Sequence, residues 1–293
     1  MRRILLLTAL VLLTWQTPAQ DIVIDYLEGY LEIRTETGWR EGAIGDRVTR
    51  IDVVRIDSAT IAELRFRGDR LILSEEGMYA IRDLISASEE IQDWGLRSAL
   101  SVRLHNLFEG VPEAESASMG VRAGKVEDEG GFDWVDEEEE AREQGEKLLE
   151  EKKFTEAIEI FKEALFLSDD ESEQLYLFYI GYAHAMKGDK SQALKYLNRS
   201  NPAATTTFYP DYILLRGELL IESHAYRTAL DLFGDYLQQG PRQDVLQSIY
   251  LFSAFCSKGL GDRQGTVRFL NQAYRQDPDS EIGRVARSIL DTL

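Results

Sequence analysis

The sequence predicts a multidomain α+β protein: a small all-β sandwich or β-roll at the N-terminal end, followed by an all-α repeat array. Two observations carry this. Residues 21–85 alternate apolar and polar side chains in short runs punctuated by glycine, the period of half-buried strands. Beyond residue 136, small and large apolar residues recur with a period near 36, the mark of stacked repeats. A third observation bounds the function. The 293 residues carry 33 basic and 52 acidic side chains, a net charge of −19. Nucleic-acid binding through a basic surface is excluded on that balance, because phosphate contacts need clustered Lys and Arg.

The chain opens with Arg2 and Arg3, then ten residues, Ile4 to Leu13, apolar except for Thr8. This reads as a secretory signal peptide over residues 1–19, cut after Ala19. The run is shorter than the roughly 20 residues of a membrane span, and a retained anchor is the alternative. The mature chain is expected outside the inner membrane, periplasmic or associated with the outer envelope, with no transmembrane span. The single Cys256 excludes an internal disulfide and any Cys-based zinc site.

The β domain is placed at residues 20–85. Strands are expected around Ile22–Ile24, Tyr30–Thr35, Asp52–Ile56, Ala62–Phe66 and Arg70–Leu73. Gly68-Asp69 lies between two alternating runs and predicts a tight hairpin. A helix follows over 86–110, starting at Ser88 and carried by Ile91, Trp94, Leu100, Leu104 and Leu107. Residues 111–135 are rich in Glu, Ala, Ser and Gly and read as an acidic flexible linker between two halves free to reorient. Nine acidic and no basic residues lie between Val126 and Glu140. A calcium site is one reading; a solvated helix start is preferred, because the spaced D-x-D-x-D-G pattern is missing. No metal or other cofactor is expected.

The array is placed at 136–280, with a capping helix over 281–293. Gly145, Gly181, Gly217 and Ala254 recur at intervals of 36, 36 and 37. Ala157, Ala193, Ala229 and Thr266 follow each by twelve residues, and Phe161, Leu197, Phe233 and Leu270 come four later. Small residues on two helices of one hairpin let them approach, and the large ones fill the groove to the next unit. Turns inside the hairpins are expected at Lys152-Lys153, Gly188-Asp189, His224-Ala225 and Gly261-Asp262.

Two resemblances follow from these residues. The spacing of small residue, A-x3-F and closing Pro241 and Pro278 is similar to the tetratricopeptide repeat. The order Tyr26-Leu27-Glu28-Gly29, Gly38-Trp39, Gly45-Asp46-Arg47-Val48, Val53-Val54-Arg55-Ile56 and Gly68-Asp69-Arg70-Leu71 resembles FecR-type domains. That family's signalling members carry a transmembrane helix and an anti-sigma segment beside this domain. This sequence has only the apolar leader, so the resemblance implies a binding or scaffolding module.

No H-E-x-x-H, G-x-S-x-G, P-loop or C-x-x-C pattern occurs, and no catalytic residue is assigned. The expected function is a non-enzymatic extracytoplasmic scaffold that binds a protein or peptide of the cell envelope. The tetratricopeptide resemblance implies a groove lined by Phe178, Tyr182, Leu214, Glu218, Leu251 and Phe255, flanked by Glu146 and Leu149. The β domain would dock to an envelope component. The alternatives are peptidoglycan binding by that domain, with Tyr30 and Trp39 stacking on sugar, and envelope signal sensing. Exposure of Trp39 beside polar groups discriminates the glycan reading.

Overall fold

A computed structural model describes residues 22–35, 38–93 and 134–293. The expected leader at 1–19, most of the helix expected at 86–110 and nearly all of the acidic linker lie outside the described residues.

Eight strands form the N-terminal part: β1 (Ile22–Glu28), β2 (Leu31–Thr35), β3 (Gly38–Glu41), β4 (Arg47–Val48), β5 (Val53–Ile56), β6 (Ile61–Phe66), β7 (Asp69–Leu73) and β8 (Gly77–Ala80). They make two antiparallel sheets, ordered β4-β1-β6-β7 (sheet A) and β3-β2-β5-β8 (sheet B). Period-two alternation sends one set of side chains inward from each sheet. Ile22, Ile24, Leu64, Phe66 and Leu71 meet Leu31, Ile33, Val54 and Ile56 in one core. The β6–β7 pairing ends at Phe66↔Asp69. The hairpin loop is therefore Arg67-Gly68, one residue earlier than expected, and both residues have positive φ. That is the geometry whose twist suits a two-residue hairpin.

Ten helices are described: α1 (Ile81–Asp93), α2 (Trp134–Glu150), α3 (Phe154–Leu167), α4 (Asp170–Met186), α5 (Lys190–Arg199), α6 (Tyr209–Glu222), α7 (Tyr226–Gln238), α8 (Gln243–Gly259), α9 (Arg263–Gln276) and α10 (Glu281–Leu290). Helix α1 begins seven residues before the expected Ser88. Ile81, Leu84 and Ile85 have i, i+3, i+4 spacing, and all three are buried under the β core. The last residues assigned to the β domain are thus helical. Helix α2 begins at Trp134, inside the stretch read as linker.

Helices α2 to α9 form four antiparallel hairpins, and α10 packs on α9. The spacing of small and large residues explains the close approach. A Cβ added to Gly145 would meet the Phe161 ring at 2.4 Å; at Gly217 it would meet Phe233 at 2.2 Å, and at Gly181 Leu197 at 2.8 Å. In the fourth hairpin Ala254 and Leu270 are both fully buried. The turns inside the hairpins share one hydrogen-bond pattern. In the third, His224 N–H donates to Ile221 O at 3.0 Å and Ala225 N–H to Leu220 O at 2.9 Å. Lys152-Lys153, Gly188-Asp189 and Gly261-Asp262 repeat it. This is the Schellman end of a helix. It requires positive φ, found at Lys152, Gly188, His224 and Gly261 alike.

The two halves are in direct contact; nearly all of the linker about which they are expected to reorient lies outside the described residues. Ile61 and Ile72 point from the outer face of sheet A into the helical core, with Tyr26 packed beside them. The contact reaches the hairpin turns and the starts of α5 and α7. Ser74 and Ser223 hydroxyls are 2.7 Å apart. Thr228 donates to Glu75 at 2.9 Å, and Lys195 pairs with Glu28 at 3.0 Å. Sheet A therefore has apolar neighbours on both faces, while sheet B covers only one side of the β core.

Candidate binding site

Sheet B presents its second face to solvent. The register sets Trp39 opposite Arg34 and Glu32 opposite Arg55, with Met78 next in line. Ile33 and Val54 face the core, so their strand neighbours Glu32, Arg34 and Arg55 face outward. Tyr30 continues the same side by alternation. Its position is fixed by buried Thr60. The Tyr30 N–H donates to the Thr60 hydroxyl at 3.0 Å, and that hydroxyl donates back to Tyr30 O at 3.2 Å. Gly29, at φ +102°, leaves room for Thr60, whose Oγ1 would lie 2.4 Å from an added Cβ.

Trp39 is 38% exposed and sits beside polar groups. The Arg55 guanidinium lies 4.9 Å from its ring centroid and that of Arg34 5.9 Å, within range of a cation–π attraction. Arg55 also pairs with Glu32. The pKa of Tyr30 is raised, first by desolvation, then by the charge of Glu32 and a hydrogen bond to it. Trp39, Arg55, Glu32 and Tyr30 are thus linked in sequence across the face. Arg40 pairs with Asp46 at 2.6 Å beside the strip, and their contact holds the Asp46 carboxyl below its usual range. Aromatic rings with planar hydrogen-bonding groups between them can hold a hydroxyl-rich ligand.

The residues expected to line a groove of the array lie elsewhere. Phe178, Tyr182, Leu214, Leu251 and Phe255 are all buried in the helical core, so their side chains pack helix on helix. Phe178 stacks on Phe208 of the α5–α6 connection, ring centroids 5.2 Å apart. Glu218 is half-buried on α6. In the flanking pair, Glu146 accepts from the Tyr179 hydroxyl at 2.8 Å and Leu149 is core. The physical reason is that α4, α6 and α8 form an inner layer with apolar residues on every side. A pattern of aromatics at helical spacing does not distinguish that from a lined groove.

A cleft of about 310 Å³ opens at the other end of the third hairpin. Thr205, Thr206, Tyr209, Tyr236, Gln239 and Arg242 contribute to its walls. Helices α6 and α7 are antiparallel, so the cleft lies a helix length from sheet A, about 20 Å at 1.5 Å per residue. The Tyr236 hydroxyl accepts from the Arg242 N–H at 3.2 Å, and Arg242 chelates Asp244 through two nitrogens at 3.0 and 2.6 Å.

The interface polar groups were missed by the sequence reading. Glu63, 4% exposed, accepts from the Ser191 hydroxyl at 3.0 Å and pairs with Arg70 at 3.1 Å. His224 Nε2 lies 3.3 Å from Leu84 O. A carbonyl only accepts, so Nε2 carries the proton, leaving Nδ1 to accept from the Tyr226 hydroxyl at 3.4 Å. Burial lowers the His224 pKa. His184 is similarly lowered by burial and stacks on Tyr196 at 5.5 Å. Both are packing histidines; His105 lies outside the described residues. The signal for docking was present in Leu71-Ile72-Leu73, three apolar residues without alternation, which means burial on both faces.

Among the described residues, no group of three or more His, Cys, Asp and Glu is placed to hold a metal ion. No helix among them is long and apolar enough to cross a membrane. Cys256 is buried and its thiol is pushed up by that burial. No protein-family model matches the chain, and no curated protein matches it.

Proposed function

We propose that the chain is a non-enzymatic scaffold exported across the inner membrane of a bacterial envelope. In this reading a FecR-like β domain docks to an envelope component, and an array of tetratricopeptide type holds a protein partner. The repeat reading is supported by the sixteen-residue offset that brings Gly145 to Phe161, Gly181 to Leu197 and Gly217 to Phe233. The observation that carries the scaffold reading is the joining of the two halves. Ile61, Ile72 and Glu63 fix sheet A on the array, so whatever one half holds is kept in a set orientation to the other. Of the six residues assigned to the groove, Phe178, Tyr182, Leu214, Leu251 and Phe255 are core and Glu218 is half-buried. The open cleft at Thr205–Arg242 is the better place for a partner segment, since Thr205 is exposed at its rim and Thr206 and Tyr209 are half-buried.

A second reading is favoured by one observation. Trp39 is exposed beside Arg34 and Arg55, the discriminator for glycan binding by the β domain. Co-sedimentation of the mature chain with purified peptidoglycan sacculi tests it. Pelleting of the full chain, abolished by Trp39→Ala, supports wall binding. A chain that stays in solution leaves the protein-adaptor reading. That reading is tested by cross-linking in envelopes with and without Tyr209→Ala and Arg242→Ala, which should remove one specific adduct.

A further inference from the structure

We propose that the outer face of sheet B is a strip for a neutral, linear glycan, held between Trp39 at one end and Tyr30 at the other. The proposal deepens the glycan reading above and rests on it.

The argument begins with which apolar side chains the fold leaves uncovered. Sheet A has Ile61, Ile72 and Glu63 of its outer face covered by the helical array, while its Arg65–Asp25 end stays exposed. Sheet B keeps Trp39, Tyr30 and Met78 exposed on the opposite side of the same β core. Tyr30 and Trp39 are two exposed rings on one sheet face, whereas Phe166 on α3 is exposed without a second exposed ring beside it on that helix. Trp39 stands on β3, the edge strand of sheet B. Both guanidiniums that approach it come from β2 and β5, on one side of it. Among the described residues no strand of the sheet lies beyond β3, and the ring keeps 38% of its surface exposed.

Charge then selects the class of ligand. Arg55 is matched by Glu32, and Glu41, opposite Glu32, balances Arg34, opposite Trp39. The strip is balanced within itself. A strongly anionic ligand would compete with Glu32, and a basic peptide would compete with Arg55. A neutral ligand rich in hydroxyls meets both as hydrogen-bonding groups: the guanidinium donates and the carboxylate accepts. Pyranose rings offer that pattern at their rims and an apolar C–H face to an aromatic ring.

Geometry selects the length. Four residue steps along the chain separate Tyr30 from Arg34, the partner of Trp39, which is about 14 Å at roughly 3.4 Å per step, or roughly three pyranose rings end to end. The middle ring would lie over Arg55 and Glu32. A disaccharide reaches only one aromatic end together with the centre. Binding should therefore strengthen steeply between two and three sugars and level off beyond.

The test uses the full mature chain and β-1,4-linked N-acetylglucosamine oligomers of two, three and four units, measured by calorimetry. The trimer is expected to bind at least tenfold more tightly than the dimer, and the tetramer about as well as the trimer. Trp39→Ala and Tyr30→Ala should each weaken the trimer at least tenfold, and Trp39→Phe should recover most of the loss. Phe166→Ala, a still more exposed ring on α3, should change nothing. Thermal melting of each variant separates lost binding from lost folding, and Tyr30→Ala serves if Trp39→Ala unfolds. The proposal is overturned if no oligomer binds, if affinity is independent of length, or if trimer binding survives both alanine variants. Sacculus binding that persists in Trp39→Ala/Tyr30→Ala would keep the glycan reading and sink this assignment. Loss of both would be the expected result.

Discussion

The two sheets of the β domain share one core and differ only in what lies outside them. On sheet A, Ile61 and Ile72 join the helical core, and Glu63 is buried with Ser191 and Arg70 for partners. On sheet B, the equivalent outward positions carry Trp39, Arg34, Arg55, Glu32 and Met78, paired with each other and open to water. One face spends its chemistry on the rest of the chain and the other keeps it available. The difference shows that exposure of a ring is informative only after every surface the fold itself covers has been subtracted.

The comparison can be broken most sharply by exchanging charge for apolar surface on the two faces. Ile72→Asp buries an unpaired carboxylate between sheet A and the array and should cost on the order of 3–4 kcal/mol. Met78→Asp, at a site 68% exposed on sheet B, should change stability by no more than about 0.5 kcal/mol. Urea unfolding of the two variants measures both. Equal effects would mean that sheet A is not covered.

A second substitution isolates the polar part of the docked face. Ser191→Ala removes the hydroxyl that donates to buried Glu63 and leaves Arg70 as its partner. A loss of about 2 kcal/mol is expected from a hydrogen bond to a buried charged group. The same change at Thr35, whose hydroxyl donates to Gly38 O at 3.2 Å on an exposed edge, should be close to neutral.

The docked face should also carry a pH dependence that the open face lacks. Burial lowers the His224 pKa from its ordinary 6.5. Leu84 O, Tyr226 and Glu222 face it, and their favourable contributions do not outweigh the burial. Between the lowered folded value and 6.5 the unfolded chain binds the extra proton. Stability from this group is complete above pH 6.5 and falls as pH drops through that window. Unfolding curves at pH 7.5 and 5 should separate, and the separation should shrink in His224→Gln.

A small effect is also expected for the ring on the open face. Trp39→Ala loses two cation–π contacts at an exposed site, about 1 kcal/mol or less. A drop of several kcal/mol would give the ring a structural role and weaken its assignment to a ligand.

Much of the array was legible because its constraint is local and repeated. Gly217 and Phe233 lie sixteen residues apart, and the close approach they permit follows from their sizes alone. The positions of positive φ at Lys152 and His224 could also be read, since Gly188 and Gly261 stand at the same places in their repeats. The strands and their core followed from alternation at Leu31–Ile33 and Val54–Ile56. What sequence could not supply was contact across long separations. Phe178 and Leu251 have the spacing of a groove and the burial of a core, and only the neighbouring helices decide between them. Glu63 looks like any solvent-facing strand residue until Ser191, 128 positions later, is brought against it. The start of α1 at Ile81 was hidden by its apolar residues, which continue the β pattern into the first turn. Trp39 and Tyr30 were named from the sequence; the Arg55–Glu32 bridge between them came from strand register.

The central claim is that sheet A is fixed to the array, which leaves the outer face of sheet B exposed. The most direct test is the double variant Ser74→Cys/Ser223→Cys in the full chain. Their hydroxyls are 2.7 Å apart across the contact, close to what a disulfide needs, and the only native thiol, Cys256, is buried. Mild oxidation should give an intramolecular cross-link in nearly every molecule, seen as a faster band on a non-reducing gel, with the melting temperature unchanged or raised. Two free thiols, or cross-links only between molecules, would mean that the halves are not joined in this way and would contradict the account.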